Sequence, residues 1–469
     1  VAQSVGAGGG HAGAASGSAS LGANGARGDA ASVSLNLTSL KPGSDGSIIT
    51  TGDQSPAFVV QSIGGGGGLV FPDTNAGTGD LLLGGGSSGT QGKGSSVSFT
   101  AGRRSRVVTT GDGSSGLSYH SIGGGGGYAG NTLANAQLGG LYRGETFADD
   151  LNLTSQVITS TSGANSSAML VQSIGGGGGR VGNVGGNASL GGTAALLGTA
   201  NAHGGSIDLT IDTSLVTTGN DSTTLRSQSI GGGGGVAGSV GGNAVLGGLG
   251  TGDRSARNMS LAIQDTVSSA GAQATSVQVQ SIGGGGGSVN GVSGDITFGR
   301  SGPLPNTGDS SSGDLSLMLE QDSKVFSLGA VSPGLIAQTI GGGGGFAASA
   351  SGTVQLGAGG SGTTNTDASA GAITWTNAAL GTQTVVTDDE IITSTISGIA
   401  TSGDFSPAVV LQSIGGGGGY TTGGSSVSFS AAGHAGSSTA AGAITATNSG
   451  VITTSGDNSF GLLLQTIGG

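Results

Sequence analysis

Five glycine-rich turns carry the residues of this chain best suited to binding a metal ion. Their carboxylates are Asp53, Asp112, Asp221, Asp404 and Asp457. Glycine/aspartate repeats of secreted solenoids bind calcium, but the tandem nonapeptide spacing of those repeats is absent. Because Asp side chains also cap backbone N–H groups in turns, we expect turn capping here, with calcium binding as the alternative.

Histidines and glycine runs offer little further chemistry. His11, His120, His203 and His434 share no spacing with one another or with carboxylates, so they predict neither a metal site nor a catalytic triad. No lysine follows any glycine run, as a phosphate-binding loop would require. We therefore predict a non-enzymatic protein without catalytic residues, bound metal or other cofactor.

The motif Gln61-Ser62-Ile63-Gly64-Gly65-Gly66-Gly67-Gly68 is the dominant feature, because it recurs along the whole chain. A variant opens the sequence at Gln3, and His120 replaces the glutamine in one copy. The motif glutamine recurs at Gln172, Gln228, Gln280, Gln338, Gln412 and Gln465. The spacings of 58, 59, 52, 56, 52, 58, 74 and 53 residues predict tandem structural repeats.

One repeat array over residues 1–469 is therefore predicted, and we interpret it as a window of a longer chain. Its eight units average about 57 residues. Their approximate ranges are 3–60, 61–119, 120–171, 172–227, 228–279, 280–337, 338–411 and 412–464.

Each unit contains short β-strand patterns and no helical pattern. Residues alternate between apolar and small or polar at 33–37 and 207–211, and a β-branched stretch such as 48–51 precedes the turn. We predict an all-β solenoid, or β-helix. Three coils of about 19 residues per unit would give about 24 coils and a rod of ~115 Å. Two coils of about 28 residues remain the alternative.

Five successive glycines need a structural reason, since ordering them costs more entropy than ordering other residues. Left-handed backbone turns or close approach of another backbone would supply one, with a packed extended glycine strand or a flexible hinge as alternatives. Ala7 replaces the second glycine in the first copy, so we expect φ below zero there. The aligned glutamines predict an amide ladder between stacked coils.

Charge and composition restrict the partners. The chain has 13 basic and 25 acidic residues, a net charge of −12 and no cysteine. Nucleic-acid binding would need a dense basic face, so we predict none. No apolar stretch is long enough to span a membrane. Weak charge and polar surfaces favour self-association into fibres or bundles.

The stretches from Ile49 to Gly68 and from Ala400 to Gly419 share one consensus. It reads Ile/Val-Thr-Thr-x-Gly-Asp-x-Ser-x-Ala/Gly, three apolar residues, then Gln-Ser-Ile and five glycines, as seen most fully at these two places. This consensus resembles the glycine-rich passenger repeats of Gram-negative autotransporter and filamentous-haemagglutinin-like surface adhesins.

The resemblance implies a secreted β-helix displayed on the bacterial surface, involved in adhesion, aggregation or a biofilm matrix. Host surfaces or glycans would be further partners, and a membrane would be reached only through other parts of the parent chain. No functional residue is carried over. A phage tail fibre with packed polyglycine strands and a polysaccharide-acting β-helix enzyme are the alternative functions.

Overall fold

The described part of the chain is an all-β, solenoid-like stack of parallel sheets, as predicted. The computed structural model describes residues 1–6, 8–15, 17–22, 28–37, 47–72, 79–84, 92–101, 105–142, 144–191, 193–194, 201–248, 252–299, 308–357, 367–378, 383–386, 391–394, 398–421, 426–429 and 439–468. His434 and Ala7 lie outside these residues.

Every strand of sheet 1 contains the Gln-Ser-Ile motif or a variant of it. Its nine strands are parallel and in register, so that the motif glutamines form one column. They are Ala2–Val5, Phe58–Ile63, Leu117–Ile122, Met169–Ile174, Leu225–Ile230, Val277–Ile282, Leu335–Ile340, Val409–Ile414 and Leu462–Ile467.

Sheets 2 and 3 follow the glycine runs. The strands of sheet 2 begin on glycines of the run: Gly9–Ala15, Gly67–Pro72, Gly126–Ala129, Gly178–Val181, Gly234–Ala237, Gly286–Val292, Gly344–Ala350 and Gly418–Thr421. Sheet 3 comprises Ala19–Leu21, Leu81–Leu83, Ala136–Leu138, Ala188–Leu190, Ala244–Leu246, Ile296–Phe298, Thr353–Leu356 and Ser426–Phe429.

Sheets 4 and 5 return the chain to the next motif. Sheet 4 comprises the pair Val33–Leu37 and Val97–Ala101, then six strands: Leu151–Ser155, Ile207–Ile211, Met259–Ile263, Leu315–Leu319, Ile373–Asn377 and Ile444–Asn448. Sheet 5 comprises Ser47–Thr50, Arg106–Thr109, Ile158–Thr161, Leu215–Thr217, Thr266–Ser269, Lys324–Ser327, Gly398–Thr401 and Val451–Thr454.

Two short parallel pairs lie between sheets 3 and 4. They are Leu141–Tyr142 with Thr193–Ala194, and Thr146–Phe147 with Ala202–His203.

Strand pairing corrects the predicted number of coils. Every parallel pair among the described strands joins equivalent strands of successive units, as Gln172 pairs with Gln228 and Leu209 with Leu261. No described strand pairs in parallel with another strand of its own unit. One unit therefore forms one large coil, and the prediction of three coils per unit is wrong. Nine stacked strands span about 40 Å instead of ~115 Å.

The described part of the long seventh unit contains a local hairpin and no parallel strand beyond those found in the other units. Gln383–Val386 and Ile391–Ser394 pair with each other in antiparallel register, Val385 opposite Ile392. Ile391–Ser394 is therefore half of a local hairpin, and the acidic residues 388–390 lie outside the described residues. Stacking resumes at Gly398, which pairs with Lys324 of the preceding coil.

Sheet 1 lies in the interior of the stack. Its internal strands are buried at all six positions, whereas sheet 4 strands such as Leu151–Ser155 alternate between buried and exposed. Side chains of sheets 1, 4 and 5, including Val171, Leu209 and Val267, form the largest apolar core. Sheets 2 and 3 enclose a second core. Each coil thus wraps around its own sheet 1 strand, with one core on each side of it. A coil that encloses a central strand needs about 57 residues to complete one turn of the solenoid.

The glycine runs combine left-handed turns with backbone contact, as we expected. Gly177, Gly178 and Gly179 have φ of 86°, 132° and 130°. A Cβ on Gly178 would lie 1.9 Å from the carbonyl oxygen of Gly234 in the next coil. The expected negative φ at the second glycine is wrong for three copies, because Gly65, Gly124 and Gly416 have φ of 75°, 69° and 79°. The second glycine lies outside the left-handed region in the other described copies, at Gly176, Gly232, Gly284 and Gly342. The glycines therefore permit both the bend and the coil spacing.

The turn between sheets 5 and 1 holds one residue in the left-handed region in every coil from Gln54 onward. Asn165 has a φ of 54°, but the same position is Val331 at 58° and Phe405 at 54°. Asparagine tolerates this region, whereas a β-branched side chain is strained there. Valine is thus the least suitable residue of the column.

Replacing Val331 by asparagine is therefore expected to raise the free energy of unfolding by about 1 kcal/mol, because the strain is removed. Urea denaturation of the full chain measures the change. Gln273, whose φ is 56°, provides the reverse test. Gln273→Val should lower stability by a similar amount, and a stabilised Gln273→Val variant would contradict the explanation.

Candidate functional site

The motif glutamines form a buried amide ladder along sheet 1. From Gln172 to Gln412, each Nε2 donates to the Oε1 of the glutamine in the next coil. The distances are 2.8 Å for Gln172 to Gln228, 2.7 Å for Gln228 to Gln280, 2.7 Å for Gln280 to Gln338, 2.8 Å for Gln338 to Gln412 and 2.6 Å for Gln412 to Gln465. Because these polar groups are buried, each bond avoids the cost of an unpaired donor or acceptor.

His120 interrupts the ladder. It pairs in register with Gln61 on one side and Gln172 on the other. Within the described chain, both ring nitrogens of His120, both amide atoms of Gln61 and Oε1 of Gln172 are buried without a hydrogen-bond partner. Gln61 was predicted to join the ladder, but it does not, because its neighbour in the next coil is His120.

Burial keeps His120 neutral. It lowers the pKa of His120 to about 3, while the adjacent Gln172 side chain opposes this shift and the positive charge of Arg180 adds to it. The imidazole is therefore neutral near pH 7.

The motif serine joins the inner sheet to the corner before sheet 4. Ser173 Oγ donates to the carbonyl of Asp149 at 3.0 Å and accepts from the N–H of Gly205, one coil later, at 2.7 Å. Ser62 makes the equivalent bonds to Ala31 O at 3.0 Å and from Ser95 N at 2.8 Å. The hydroxyl thus bridges two coils.

Threonine preserves part of this bridge. Thr339, which replaces the motif serine in one copy, donates through Oγ1 to the carbonyl of Gly371 at 2.7 Å. The adjacent motif isoleucines pack together, with Ile63, Ile122, Ile174 and Ile230 forming one buried cluster. The glutamine, serine and isoleucine side chains of the motif are therefore used for structural contacts within the stack.

The turn aspartates cap the next coil. Asp53 Oδ1 accepts from Asp112 N at 2.9 Å, and Asp112 Oδ1 accepts from Ala164 N at 2.8 Å. Asp404 Oδ1 accepts from Asp457 N at 2.8 Å. The prediction that Asp221 belongs to this capping column is wrong.

Asn220 takes the capping position, accepting from Ala272 N at 3.0 Å. Asp221 follows in the left-handed position with a φ of 58°, and burial raises the pKa of its carboxyl group. Among the described residues, no three His, Asp or Glu side chains come together as a metal site. Calcium binding therefore receives no support from the geometry of these turns.

Three buried arginines were not predicted from the sequence. Arg180, Arg226 and Arg254 are 4%, 2% and 1% exposed. Arg180 donates to Asn165 O at 2.6 Å and to Tyr128 Oη, and Arg226 Nε donates to Gln278 Oε1 at 2.6 Å. Burial, followed by the charge of Arg180, lowers the pKa of Arg226 to about 9. The three arginines stand at different positions of their repeat units, so no pattern in the sequence indicates that they are buried.

A surface groove of about 460 Å³ lies beside sheet 4 and contains His203, Asp150 and Arg257. His203 Nδ1 is 2.7 Å from Ser255 Oγ, and its ring stacks on Phe147 with 4.9 Å between ring centroids. Burial lowers the pKa of His203, Arg257 lowers it further, and Asp253 and Glu145 oppose the shift. These contacts join successive coils, and within the described residues they form no Ser-His-carboxylate hydrogen-bond chain.

No known protein family, curated protein or solved structure matches this chain. In the described part of the chain, no helix is long and apolar enough to cross a membrane.

Proposed function

We propose that the chain is the shaft of an extracellular fibre or surface adhesin, built from one continuous array of about 57-residue coils. The observation that carries the proposal is the repeated use of motif side chains as bonds between coils. Gln228 bonds to the next coil, and Ser229 bridges two corner segments. Such an array extends by adding equivalent coils, since each contacts mainly its neighbours.

The outer face of sheet 4 suits contact with other copies of the chain. Its exposed positions include Asn152, Thr154 and Ser316, and its buried positions are apolar except for Ser155 and Asn377. A surface with few charges offers little electrostatic repulsion between neighbouring shafts. Lateral association into bundles is therefore part of the proposal, with glycans or a host surface as further partners.

The extracellular surface of a Gram-negative bacterium is the proposed location. The consensus from Ile49 to Gly68 and from Ala400 to Gly419 supports it through the resemblance to autotransporter and haemagglutinin-like repeats. The absence of cysteine is compatible with export of an unfolded chain. The proposed role is structural, in adhesion, aggregation or a biofilm matrix, and requires no cofactor.

Removal of one coil tests this function. Deleting residues 228–279 fuses Ser227 to Gln280 and restores the sequence Ser-Gln-Ser-Ile. The shaft should shorten by ~4.8 Å per missing coil and remain folded, because the new neighbours present equivalent strands. Electron microscopy of the native protein at the cell surface, with cell-aggregation assays, measures shaft formation and adhesion.

A half-coil deletion of residues 228–253 is the control. It places strands of different sheets opposite each other, so folding and surface fibres should both be lost. Aggregation retained by the whole-coil variant and lost in the half-coil variant supports the proposal. Native protein that forms no fibres and mediates no contact between cells would contradict it.

A further inference from the structure

Arg254 is a large buried cation in a column otherwise made of small residues. Ala202 and Arg254 stand in register, joined by a bond from Ala202 N to Asp253 O, and the next coil presents Ser310. Thr146 and Ala202 occupy the preceding coils and are fully buried. Among the described residues of this column, Arg254 carries the guanidinium group, and its Cδ lies beside Gly232.

Two of the three guanidinium nitrogens of Arg254 have no partner. Nη1 donates to the carbonyl of Gly248 at 3.0 Å. Nε and Nη2 are buried without a hydrogen-bond partner in the described chain. These two nitrogens form one edge of the planar guanidinium group, whose N–H bonds point in the same direction. Such an edge matches the two oxygens of a carboxylate or phosphate.

Glycines provide the space for this side chain. A Cβ on Gly232 would lie 2.9 Å from Cδ of Arg254, and one on Gly231 would lie 2.6 Å from the Arg254 carbonyl carbon. The five-glycine run therefore lines one side of the Arg254 site without any side chain.

The nearest carboxylates along the chain are directed to other partners. Asp253 Oδ1 accepts from Asp309 N at 2.9 Å, and Asp309 Oδ1 accepts from Asp367 N at 3.1 Å. Both aspartates belong to an outer capping column. An isolated buried charge destabilises a fold by several kcal/mol, so a counterion would be strongly favoured at Arg254.

The other buried arginines differ in this respect. Arg180 contacts Tyr128 and Asn165, and Arg226 contacts Gln278 and Thr223. Their hydrogen bonds to neutral groups leave no comparable open edge among the buried unpaired atoms. The contrast identifies Arg254 as the position where an acceptor is missing.

We infer that Arg254 binds a small oxyanion through its Nε and Nη2 atoms, with a carboxylate, phosphate or sulfate group as the ligand class. The oxyanion would accept two parallel hydrogen bonds and neutralise the buried charge. This site is independent of the proposed shaft function and would be present in a solenoid of any role.

Thermal unfolding of the full chain tests the inference. Sodium phosphate and sodium acetate are titrated against sodium chloride at constant ionic strength. One or both oxyanions should raise Tm by about 1–2 °C in a saturable manner, since ligand binding stabilises only the folded state. Exclusion of salts from the protein surface would give a rise without saturation.

Arg254→Lys keeps the charge and removes the bidentate edge, so it should lose most of the saturable shift. Arg254→Met should lose all of it, and Arg180→Met is the matched buried-arginine control that should retain it. Titration of the arginine Nε–H signals by NMR gives a second readout in the wild type. Equal Tm values in chloride and both oxyanions, or an unchanged shift in Arg254→Lys, would refute the site.

Discussion

Replacing Gly127 by alanine is expected to destabilise the stack by at least about 3 kcal/mol. Gly127 has a φ of 140°, and an added Cβ would lie 2.0 Å from the carbonyl oxygen of Gly68 in the preceding coil. The strained backbone conformation costs about 1–3 kcal/mol, and the methyl group must also displace a hydrogen-bonded strand. Both contributions act at a position fully enclosed by other coils.

Gly13→Ala is the matched control, because Gly13 lies in a strand of the same sheet and an added Cβ meets no atom within 4 Å. Its stability should change by less than about 1 kcal/mol. Calorimetric unfolding of both variants measures the difference. Similar Tm values for Gly127→Ala and the wild type would show that the glycine runs are not constrained by coil spacing.

Replacing His120 by glutamine is expected to stabilise the protein at pH 7 by about 2–3 kcal/mol. A glutamine at this position could accept from Gln61 Nε2 and donate to Gln172 Oε1, both of which lack partners. Completing the column therefore satisfies buried groups whose desolvation costs about 1–3 kcal/mol each. The substitution extends an existing ladder and introduces no new type of contact.

The same substitution should change the pH dependence. The pKa of His120 is lowered to about 3, whereas the unfolded chain takes up this proton near pH 6.5. Between these values the unfolded state binds more protons, so stability falls as pH falls. The contribution of His120 is on the order of 2–3 kcal/mol between pH 6.5 and 4.5, and His120→Gln should remove it.

Gln228→His provides the reverse experiment within the intact part of the ladder. It should lower stability at pH 7 and steepen the loss below pH 6.5. Urea denaturation at pH 7 and pH 4.5 compares the three proteins. Equal pH dependence in wild type and His120→Gln would contradict the role assigned to the buried histidine.

Local patterns in the sequence predicted the strands and the amide ladder well. Residues 207–211 alternate as expected for a half-buried strand, and the constant position of Gln172, Gln228 and Gln280 predicted contacts between stacked coils. These features depend on side-chain alternation and exact repetition, both of which are visible in one chain.

The number of coils per unit could not be predicted in the same way. Strand patterns show which residues are extended, but the pairing partner of Gln172 lies 56 residues away. The same pattern of short strands is compatible with one coil or with several coils per unit. Arg254 was missed for a related reason, because its burial depends on glycines of a different segment.

The amide ladder also gives the stack of coils an electrical direction. From Gln172 to Gln465 the five bonds between motif glutamines all run from Nε2 of one coil to Oε1 of the next, so the side-chain dipoles add along the axis. Aligned hydrogen-bonded amides polarise one another in a low-dielectric interior. Two such stacks packed side by side would therefore have lower electrostatic energy when their chains run in opposite directions.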